Sequence, residues 1–543
     1  MKLIYLAAAS FFLLSWILPN HYLPWLAVYQ DICAFFSIFL LSCTLLKKEK
    51  ITIPLNTLFL FILMCVPLLQ YFLGIIYFGG ETVVNIIYIL GFATAYVVGF
   101  NINQLDKAEK NKIINGFLFI FLCAGIISVW VQLRQWLLFN GNIWTVDMAP
   151  NGRPFANMGQ PNQLATLLIL SLMSLLYFFE MNKFSRALAS FTGIYLLFGL
   201  VLTQSRTAWI FACCLLVWWA IKYKIPTRLS ATYLALWCMG FISIWFILPY
   251  LSAFIGITAT RSLMERATTG LDRVSMWYQI TVILQDAPIF GFGWGQLNVA
   301  QLLNKSKVIN SPILGYSHNF FLDILIWNGV ILGSIFSCFI IYFLLRLSSA
   351  AKDKEALLLL AMIGAILLHS LFEYPFAYAY FLLPLGFIFG IVYSENNNIK
   401  AKKINRLFLA LYLFFMSALM LIFIYDYKKI GHEYELMRYE NVQLRMVDVE
   451  SNVPKTLFLN QLGEYIWFVR QPLQSNNSDY ELERMRKVAY RYPDRPVLYR
   501  YIQILCLNNR ESEAMHVLKL FNAFYKESLT LDTIQHSIQS TLN

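Results

Sequence analysis

Apolar runs of about 20 residues recur along most of this chain, and no other feature constrains its fold as strongly. Each run is long enough to cross the hydrocarbon core of a bilayer as an α-helix, and too long for the alternating strands of a membrane barrel. Only 13% of the 543 residues are charged, against roughly 25% in a soluble domain. The sequence therefore predicts an all-α, polytopic membrane bundle.

About thirteen segments have the length and composition of membrane spans. No small-residue cleavage site follows the first of them, so we expect a retained span and no signal peptide. Approximate limits are 2–18, 23–46, 54–78, 82–100, 113–139, 163–181, 186–203, 207–223, 231–250, 319–346, 355–372, 377–394 and 406–426.

Lysine and arginine collect in every second loop between these segments. Because cytoplasmic loops retain positive charge, this alternation predicts a cytoplasmic N-terminus and a C-terminal tail on the opposite side. It also accounts for the net charge of +12, which therefore does not indicate a nucleic-acid partner. The basic loops lie around residues 47–50, 107–112, 183–186, 222–228, 346–354 and 400–406.

The sequence predicts two domains. Residues 1–426 would form the transmembrane bundle, including a long outer loop at 250–318, and residues 427–543 would form an outer helical domain. Amphipathic periodicity in this tail indicates helices, which suggests a cap or docking module.

The loops predicted to lie outside contain most of the candidate chemistry, whereas the inner loops are plain basic connectors. His318, at the end of the longest outer loop, could accept a hydroxyl proton near neutral pH. The alternative is an interfacial histidine that only satisfies hydrogen bonds. His369, which we expect to face outward near Glu373, is a second candidate base.

Arg153, Arg206 and Arg273 lie on this outer side, where retention of positive charge does not explain them. Guanidinium groups suit phosphate oxygens, although pairing with a local acid or carbonyl is the alternative for each. Residues 274–289 are typical of an interfacial helix that would present Arg273 at headgroup depth; a simple anchor helix is the alternative.

Amide and acidic side chains complete the outer set. Amides can orient sugar or phosphate oxygens but also cap helices, and an acid or a tyrosine here could equally belong to a structural turn. The outer loops contain no acidic cluster and the chain no C-x-x-C pair, so no metal site and no cofactor are predicted. The residues concerned are Asn157, Gln160, Gln163, Glu373 and Tyr374.

Two motifs resemble known families. An Arg, a nearby Trp, a Pro-x-x-Gly-x-Gly turn and a His-Asn run into a span resemble the O-antigen ligase and polymerase superfamily. The run R-P-F-A-N-M-G-Q-P-N-Q-L-A at 153–165 looks like the PglL-type protein O-oligosaccharyltransferases, which act on pilins and other exported proteins of Gram-negative bacteria. Residues of the first motif are Arg273, Trp277, Pro288, Gly291, Gly293, His318, Asn319, Leu322 and Gly329.

This resemblance implies a C-type glycosyltransferase bundle in the bacterial inner membrane, with its active site and C-terminus in the periplasm. The donor would be a glycan on undecaprenyl diphosphate, and the acceptor a Ser or Thr hydroxyl of a folded exported protein such as pilin. It implies that His318 is the catalytic base and that Arg206 and Arg273 bind the diphosphate. Arg153, on the same outer side, could assist them. Gln163 and Tyr374 would orient the glycan or acceptor, with Gln160 competing for the glutamine position.

Two alternatives stay open. The same donor could be joined to lipid A core, as in an O-antigen ligase, or be polymerised. A transporter of lipid-linked glycans would instead need a polar path across the bilayer, yet the spans contain few ionisable residues, Asp31 and Asp323 among them. Polar groups crowd one face, which favours surface chemistry.

Overall fold

The computed structural model describes residues 2–148, 152–257, 271–304, 312–396, 399–442 and 454–542. Parts of the long outer loop, at 258–270 and 305–311, therefore lie outside the described residues. The first half of the chain comprises α1 (Lys2–Ile17), α2 (Val28–Thr44), β1 (Lys50–Pro54), α3 (Thr57–Phe72), α4 (Gly79–Ile102), α5 (Lys107–Trp136), α6 (Pro161–Glu180), α7 (Arg186–Thr203), α8 (Arg206–Ile221) and α9 (Ala231–Phe254). The second half comprises α10 (Leu271–Leu284), α11 (Leu297–Leu303), α12 (Phe320–Asn328), α13 (Val330–Ala350), α14 (Lys354–Ser370), α15 (Ala379–Ser394), β2 (Ala401–Asn405), α16 (Arg406–Asn441), α17 (Asn460–Arg470), α18 (Asp479–Arg491), α19 (Arg495–Leu507), α20 (Glu511–Tyr525) and α21 (Leu531–Leu542).

Helices of membrane-spanning length dominate the described chain. Eight are long and apolar enough to cross a bilayer: α2 with its short extension to Lys47, α4, α5, α6, α7, α9, α13 and α16. The shorter α1, α3, α8 and α15 are also apolar. The predicted all-α, polytopic membrane fold is thus confirmed, whereas the count of about thirteen spans stays a prediction.

One predicted span is wrong. The segment at 319–346 is two helices, α12 and α13, separated at Gly329. This glycine has φ +79°, and a Cβ there would meet the backbone carbonyls of Pro288 and Ile289. The close approach of another backbone segment therefore requires glycine at the break.

The chain folds into two compact units. Unit 1 comprises Met1–Leu60, Tyr88–Ala267 and Ile341–Phe414, and unit 2 comprises Phe61–Ile87, Thr268–Ile340 and Phe415–Asn543. The predicted domain boundary at 426/427 falls within α16, and that division stays a prediction.

Unit 1 is a helical bundle in which α6 packs against α5, α7 and α14, and α15 packs against α2 and α14. Glycines allow α4 and α15 to approach closely. A Cβ on Gly99 would meet the backbone of Phe387, and one on Gly390 would meet the backbone of Tyr96. Small residues at helix contacts are a common means of packing membrane helices.

A buried carboxylate fixes the start of α15 within unit 1. Asp31 of α2 is 4% exposed. It accepts hydrogen bonds from the backbone N–H of Ala379 (2.7 Å) and from the hydroxyl of Tyr88 (2.7 Å). These bonds offset part of the cost of burying the group, so this ionisable residue is structural.

In unit 2, the tail helices α17 to α21 pack on one another around an apolar core of their own, and α11 packs on α18. A capping box at Ser478 and Glu481 begins α18. At its other end, Arg491 forms an ion pair with Glu81 in the first turn of α4. The guanidinium of Arg484 pairs with Glu464 at 2.6 Å and lies over the ring of a tryptophan.

Candidate functional site

His318 lies in the loop before α12, in a left-handed backbone conformation with φ +56°. Such a conformation costs a residue other than glycine about 1–2 kcal/mol, so the neighbours must hold it. The Ser317 hydroxyl donates to the carbonyl of Asn319 (2.7 Å) and accepts from its N–H (3.0 Å). The Asn319 side chain in turn accepts from the N–H groups of Phe321 and Leu322, which caps α12.

Two side chains hold this loop in place, the buried Asp323 and the half-buried Trp277. Asp323 is fully buried, and its Oδ1 accepts from the N–H of Ser317 at 2.8 Å. The indole N–H of Trp277 donates to the carbonyl of Ser317 at 3.1 Å. Both peptide groups of the residue before His318 are thus bonded, which restricts where the imidazole can lie.

Arg273 reaches the same region through α10. It lies four residues before Trp277, and residues with this spacing share one face of a helix. Because Trp277 bonds to the loop, α10 brings Arg273 to the same side of unit 2 as His318. A helix is present over Leu271–Leu284, whereas 274–289 was expected, and its interfacial position stays a prediction.

The glycine turn between α10 and α11 serves as a backbone bend. Gly291, Gly293 and Gly295 all have positive φ. The N–H of Gly291 donates to a carbonyl of its own turn, and the next N–H donates to Ile326 of α12. These two amides therefore bond within the protein.

Gln70 of α3 joins this turn to α12, and sequence reasoning missed it. Its amide nitrogen donates to the carbonyls of Phe290 (2.8 Å) and Trp327 (2.6 Å), and its oxygen accepts from the N–H of Trp294 (3.2 Å). A buried glutamine within an apolar helix was the signal that could have identified it.

In unit 1, the loop before α6 is held by Gln135 of α5. The oxygen of its side chain accepts from the N–H groups of Phe155 and Ala156, and its nitrogen donates to the carbonyls of Val146 and Ala156. Ala156 has φ +52°. One buried amide thus fixes the conformation of the loop that contains Arg153.

The side chain of Asn157 forms hydrogen bonds with the backbone around it. Its nitrogen donates to the carbonyls of Ile17 and Trp144, both at 2.8 Å, and its oxygen accepts from the N–H of Val146 at 3.1 Å. The imidazole of His21 contacts its carbonyl at 2.7 Å. These bonds favour a structural role, and the glycan-orienting role stays a prediction.

The two competing glutamines have different environments. Gln163 is buried within α6, and its oxygen accepts from the Tyr380 hydroxyl at 2.8 Å. Gln160 is half-buried and lies just before α6, with no capping bond from its side chain. Of the two, Gln160 is therefore the more accessible to a ligand.

A row of tyrosines lies beside Gln163. Tyr374 stacks on Tyr378 with ring centroids 6.1 Å apart, and Tyr378 stacks on Tyr380 at 5.3 Å. Burial and the neighbouring carboxylate of Glu373 raise the pKa of Tyr374, so it stays a neutral hydrogen-bond donor at physiological pH. Sequence reasoning singled out only the first of the three tyrosines.

The prediction that His369 faces outward is wrong. The residue is 0% exposed, and its Nδ1 lies 2.6 Å from the hydroxyl of Thr166 in α6. Glu373 is also buried and accepts from the side chain of Asn162 at 2.9 Å. These polar groups fasten α14 and the following loop to α6, and a buried imidazole cannot meet an acceptor from solvent.

Arg206 is the first residue of α8 and is exposed. The turn before it is fixed by Gln204, which has φ +53°, and by Thr203, whose hydroxyl accepts from the N–H of Ser205 at 3.2 Å. Arg153 is half-buried in the loop before α6.

The structure thus distributes the predicted residues between the units. His318 and Arg273 belong to unit 2, and the other seven belong to unit 1. Across the ranges that the structure describes, no group of three His, Cys, Asp or Glu side chains could hold a metal ion. The seven residues of unit 1 are Arg153, Asn157, Gln160, Gln163, Arg206, Glu373 and Tyr374.

Three protein families match successive parts of the chain. Residues 154–179 match the protein glycosylation ligases, residues 191–337 match the O-antigen ligases, and residues 357–536 match the C-terminal part of the virulence factor membrane-bound polymerases. Arg206, Arg273 and His318 all fall within the second match.

Two curated proteins of Acinetobacter baylyi are similar to nearly the whole chain. A general O-oligosaccharyltransferase is 25% identical over 552 residues, which cover 99% of this chain and 95% of the relative. A ComP-specific O-oligosaccharyltransferase is 29% identical over 515 residues, which cover 92% of this chain and 91% of the relative. No solved structure matches the chain.

The chain is thus similar to O-antigen ligases over residues 191–337 and to protein O-oligosaccharyltransferases over nearly its whole length. The resemblance found in its motifs is therefore confirmed, and the protein is a membrane-bound glycosyltransferase. Its relatives join glycans to acceptors, which favours transfer over transport.

Proposed function

We propose that the enzyme transfers a glycan from undecaprenyl diphosphate to Ser or Thr hydroxyls of exported proteins such as pilin. The reaction would take place at the periplasmic face of the inner membrane, without a metal ion and with inversion at the anomeric carbon. The N-terminus would be cytoplasmic, and the active site and tail periplasmic. In support, one relative is named as specific for a single protein and another as general.

The conformation of the His318 loop is the observation on which this proposal rests. A titratable side chain occupies a strained backbone position, and both peptide groups of the residue before it are bonded to side chains of α10 and α12. Strain of this kind persists at functional sites because the surrounding structure determines it. An imidazole held in this way is well suited to act as a general base.

In the chemical step, the acceptor hydroxyl displaces the diphosphate from the glycan. The acceptor hydroxyl gives its proton to a neutral ring nitrogen of His318 as its oxygen bonds to the anomeric carbon of the glycan. The bond from that carbon to the phosphate oxygen breaks, and its electron pair leaves with the diphosphate. Direct displacement inverts the anomeric centre.

Two arginines favour this step by binding the leaving group. Arg206 begins α8 and Arg273 lies in α10. A cation at the N-terminus of α8 opposes the helix dipole, but the first amides of that helix and the guanidinium of Arg206 together suit an anion. As the diphosphate gains charge in the transition state, fixed positive groups stabilise it. Arg153 would assist from the loop before α6.

The base is tested by His318→Asn. Asparagine tolerates the left-handed conformation but cannot accept the proton as imidazole does. We expect transfer to fall by about 10²–10⁴-fold, with an unchanged melting temperature. The assay is intact-mass analysis of an acceptor protein in vesicles supplied with the lipid-linked donor. His536→Asn, at an exposed position of α21, should leave transfer unchanged, and near-normal yield from His318→Asn would refute the assignment.

The arginines are tested by Arg206→Lys and Arg273→Lys. Each change keeps the charge but removes the planar pair of donors, and we expect transfer to fall about tenfold. Arg186→Lys is the matched control, because this residue also begins a helix but lies in a loop predicted to be cytoplasmic. Full activity of both test variants would argue against diphosphate binding.

A second candidate keeps the donor and changes the acceptor. The match of residues 357–536 to membrane-bound polymerases, and that of residues 191–337 to O-antigen ligases, favour polymerisation or transfer to lipid A core. Reconstitution with the donor and each acceptor in turn separates the candidates, because only one product should gain the mass of the glycan.

A further inference from the structure

A pocket of about 540 Å³ lies at the end of unit 1 that we predict to be cytoplasmic. It is formed by the segment after α2, by one face of the β1–β2 sheet and by the ends of α4 and α15. Its polar lining comes mostly from Lys48, Lys50, Thr52, Gln104, Asn396 and Lys403. None of the outer candidate residues belongs to it.

The pairing of β1 with β2 determines which lysine side chains face the pocket. β1 and β2 are antiparallel, and Thr52 pairs with Lys403. Since side chains alternate between the faces of a strand, Lys50, Thr52 and Lys403 share the face that lines the pocket. On the opposite face, Ile51 is buried in the core and Lys402 points away from the pocket.

Hydrogen bonds to α4 hold this wall in place. The Asn101 side chain accepts from the N–H of Thr52 (2.9 Å) and donates to its carbonyl (2.7 Å). The ammonium group of Lys48 donates to the carbonyl of Asn101 at 2.8 Å. These bonds fix the segment at residues 48–52 to the end of α4, so that this wall of the pocket is preformed.

The charged side chains that line the pocket in the described part of the chain have one sign. Three ammonium groups line it, and the described residues of its lining include no carboxylate. Two acids near the pocket pair with other lysines, Glu109 with Lys47 at 3.7 Å and Glu395 with Lys110 at 3.8 Å. Burial lowers the pKa of Lys48, despite the opposing effect of Glu109. A bound anion would offset both the burial and the mutual repulsion.

We propose that this pocket binds a phosphate group, carried by an anionic lipid headgroup of the adjacent leaflet or by a free phosphate compound. The pocket lies where membrane helices α2, α4 and α15 end and α16 begins, which is the depth of lipid headgroups. Lysine ammonium groups and the amides of Gln104 and Asn396 suit phosphate oxygens. The site would tie a leaflet lipid to the bundle, away from the outer loops.

The test compares Lys50→Gln/Lys403→Gln with Lys402→Gln, whose side chain leaves the same strand on the opposite face. Native mass spectrometry of the full-length enzyme, purified with phosphatidylglycerol or phosphatidylcholine, counts the lipids retained. In a second arm, inorganic phosphate is titrated and the melting temperature is followed. We expect about fivefold weaker binding for each lysine removed, hence about 25-fold for the pair, and wild-type binding for Lys402→Gln.

Each outcome is decisive. One additional phosphatidylglycerol on the wild type, absent from the double variant, identifies a lipid as the source of the phosphate. A thermal shift with inorganic phosphate, lost in the double variant and unaccompanied by lipid retention, identifies a soluble source. Equal lipid retention and equal shifts in wild type, double variant and control would overturn the proposal.

Discussion

The loop before α12 in unit 2 and the loop before α6 in unit 1 share a structural feature. Each has a residue other than glycine in the left-handed conformation, His318 with φ +56° and Ala156 with φ +52°. In each, a side chain from another helix bonds to peptide groups at or next to this residue: Trp277 in the first, Gln135 in the second.

The loops differ in the side chain that the strained position presents. In the first loop it is a titratable imidazole. In the second it is a methyl group. The polar side chain next to it, that of Asn157, forms hydrogen bonds with backbone groups. The bonds of Asn157 explain this polar side chain by the fold alone. We therefore expect mutations in the two loops to have opposite effects.

After replacement of His318 itself, the largest effect that sharpens this comparison should come from Asp323. Asp323→Ala leaves the buried N–H of Ser317 without its acceptor, which costs about 1–3 kcal/mol and releases the loop. We expect the kcat of transfer to fall by about 10–100-fold, with the KM for the donor unchanged. Asp323→Asn retains an oxygen acceptor and should keep transfer within about threefold of wild type. An Asn variant as impaired as the Ala variant would show that charge, and not position, matters.

The sequence predicted the helices well because apolar runs of membrane-spanning length permit few other structures. It also singled out His318 as a candidate base, because a titratable residue lies where a predicted outer loop enters a helix; that role stays a prediction. It failed where distant chain segments decide the outcome. The break at Gly329 depends on the carbonyls of Pro288 and Ile289, which no local pattern in 319–346 reveals.

Hydrogen-bond partners were equally beyond the sequence. Gln135 and Gln70 are single amides in apolar helices, and their roles depend on loops that the fold brings to them. His369 and Glu373 looked accessible because their turn is polar, but α6 covers them with Thr166 and Asn162. Burial of a polar residue follows from tertiary packing and not from residue type.

The two glutamines of unit 1 should show a smaller, divided effect. Gln160→Ala should reduce transfer by about 2–10-fold, the worth of one neutral hydrogen bond, with little change in melting temperature. Gln163→Ala removes the acceptor of the buried Tyr380 hydroxyl, so we expect a loss of stability of about 1–3 kcal/mol. Transfer rates normalised to the amount of folded enzyme measure the effect on activity. Thermal unfolding in detergent measures the effect on stability. If Gln163→Ala instead reduced transfer and Gln160→Ala instead reduced stability, Gln163 would be the residue that binds the glycan.

The most direct test of the central claim measures His318→Asn and Asn157→Ala side by side. Both are assayed for glycan transfer by intact mass of the acceptor protein, per mole of folded enzyme, and for thermal unfolding. We predict that His318→Asn is as stable as wild type and inactive. Asn157→Ala should be destabilised by about 1–3 kcal/mol for each backbone group left without a partner, yet active once folded. A stable, inactive Asn157→Ala enzyme, or an active His318→Asn enzyme, would contradict the division of roles between the two loops.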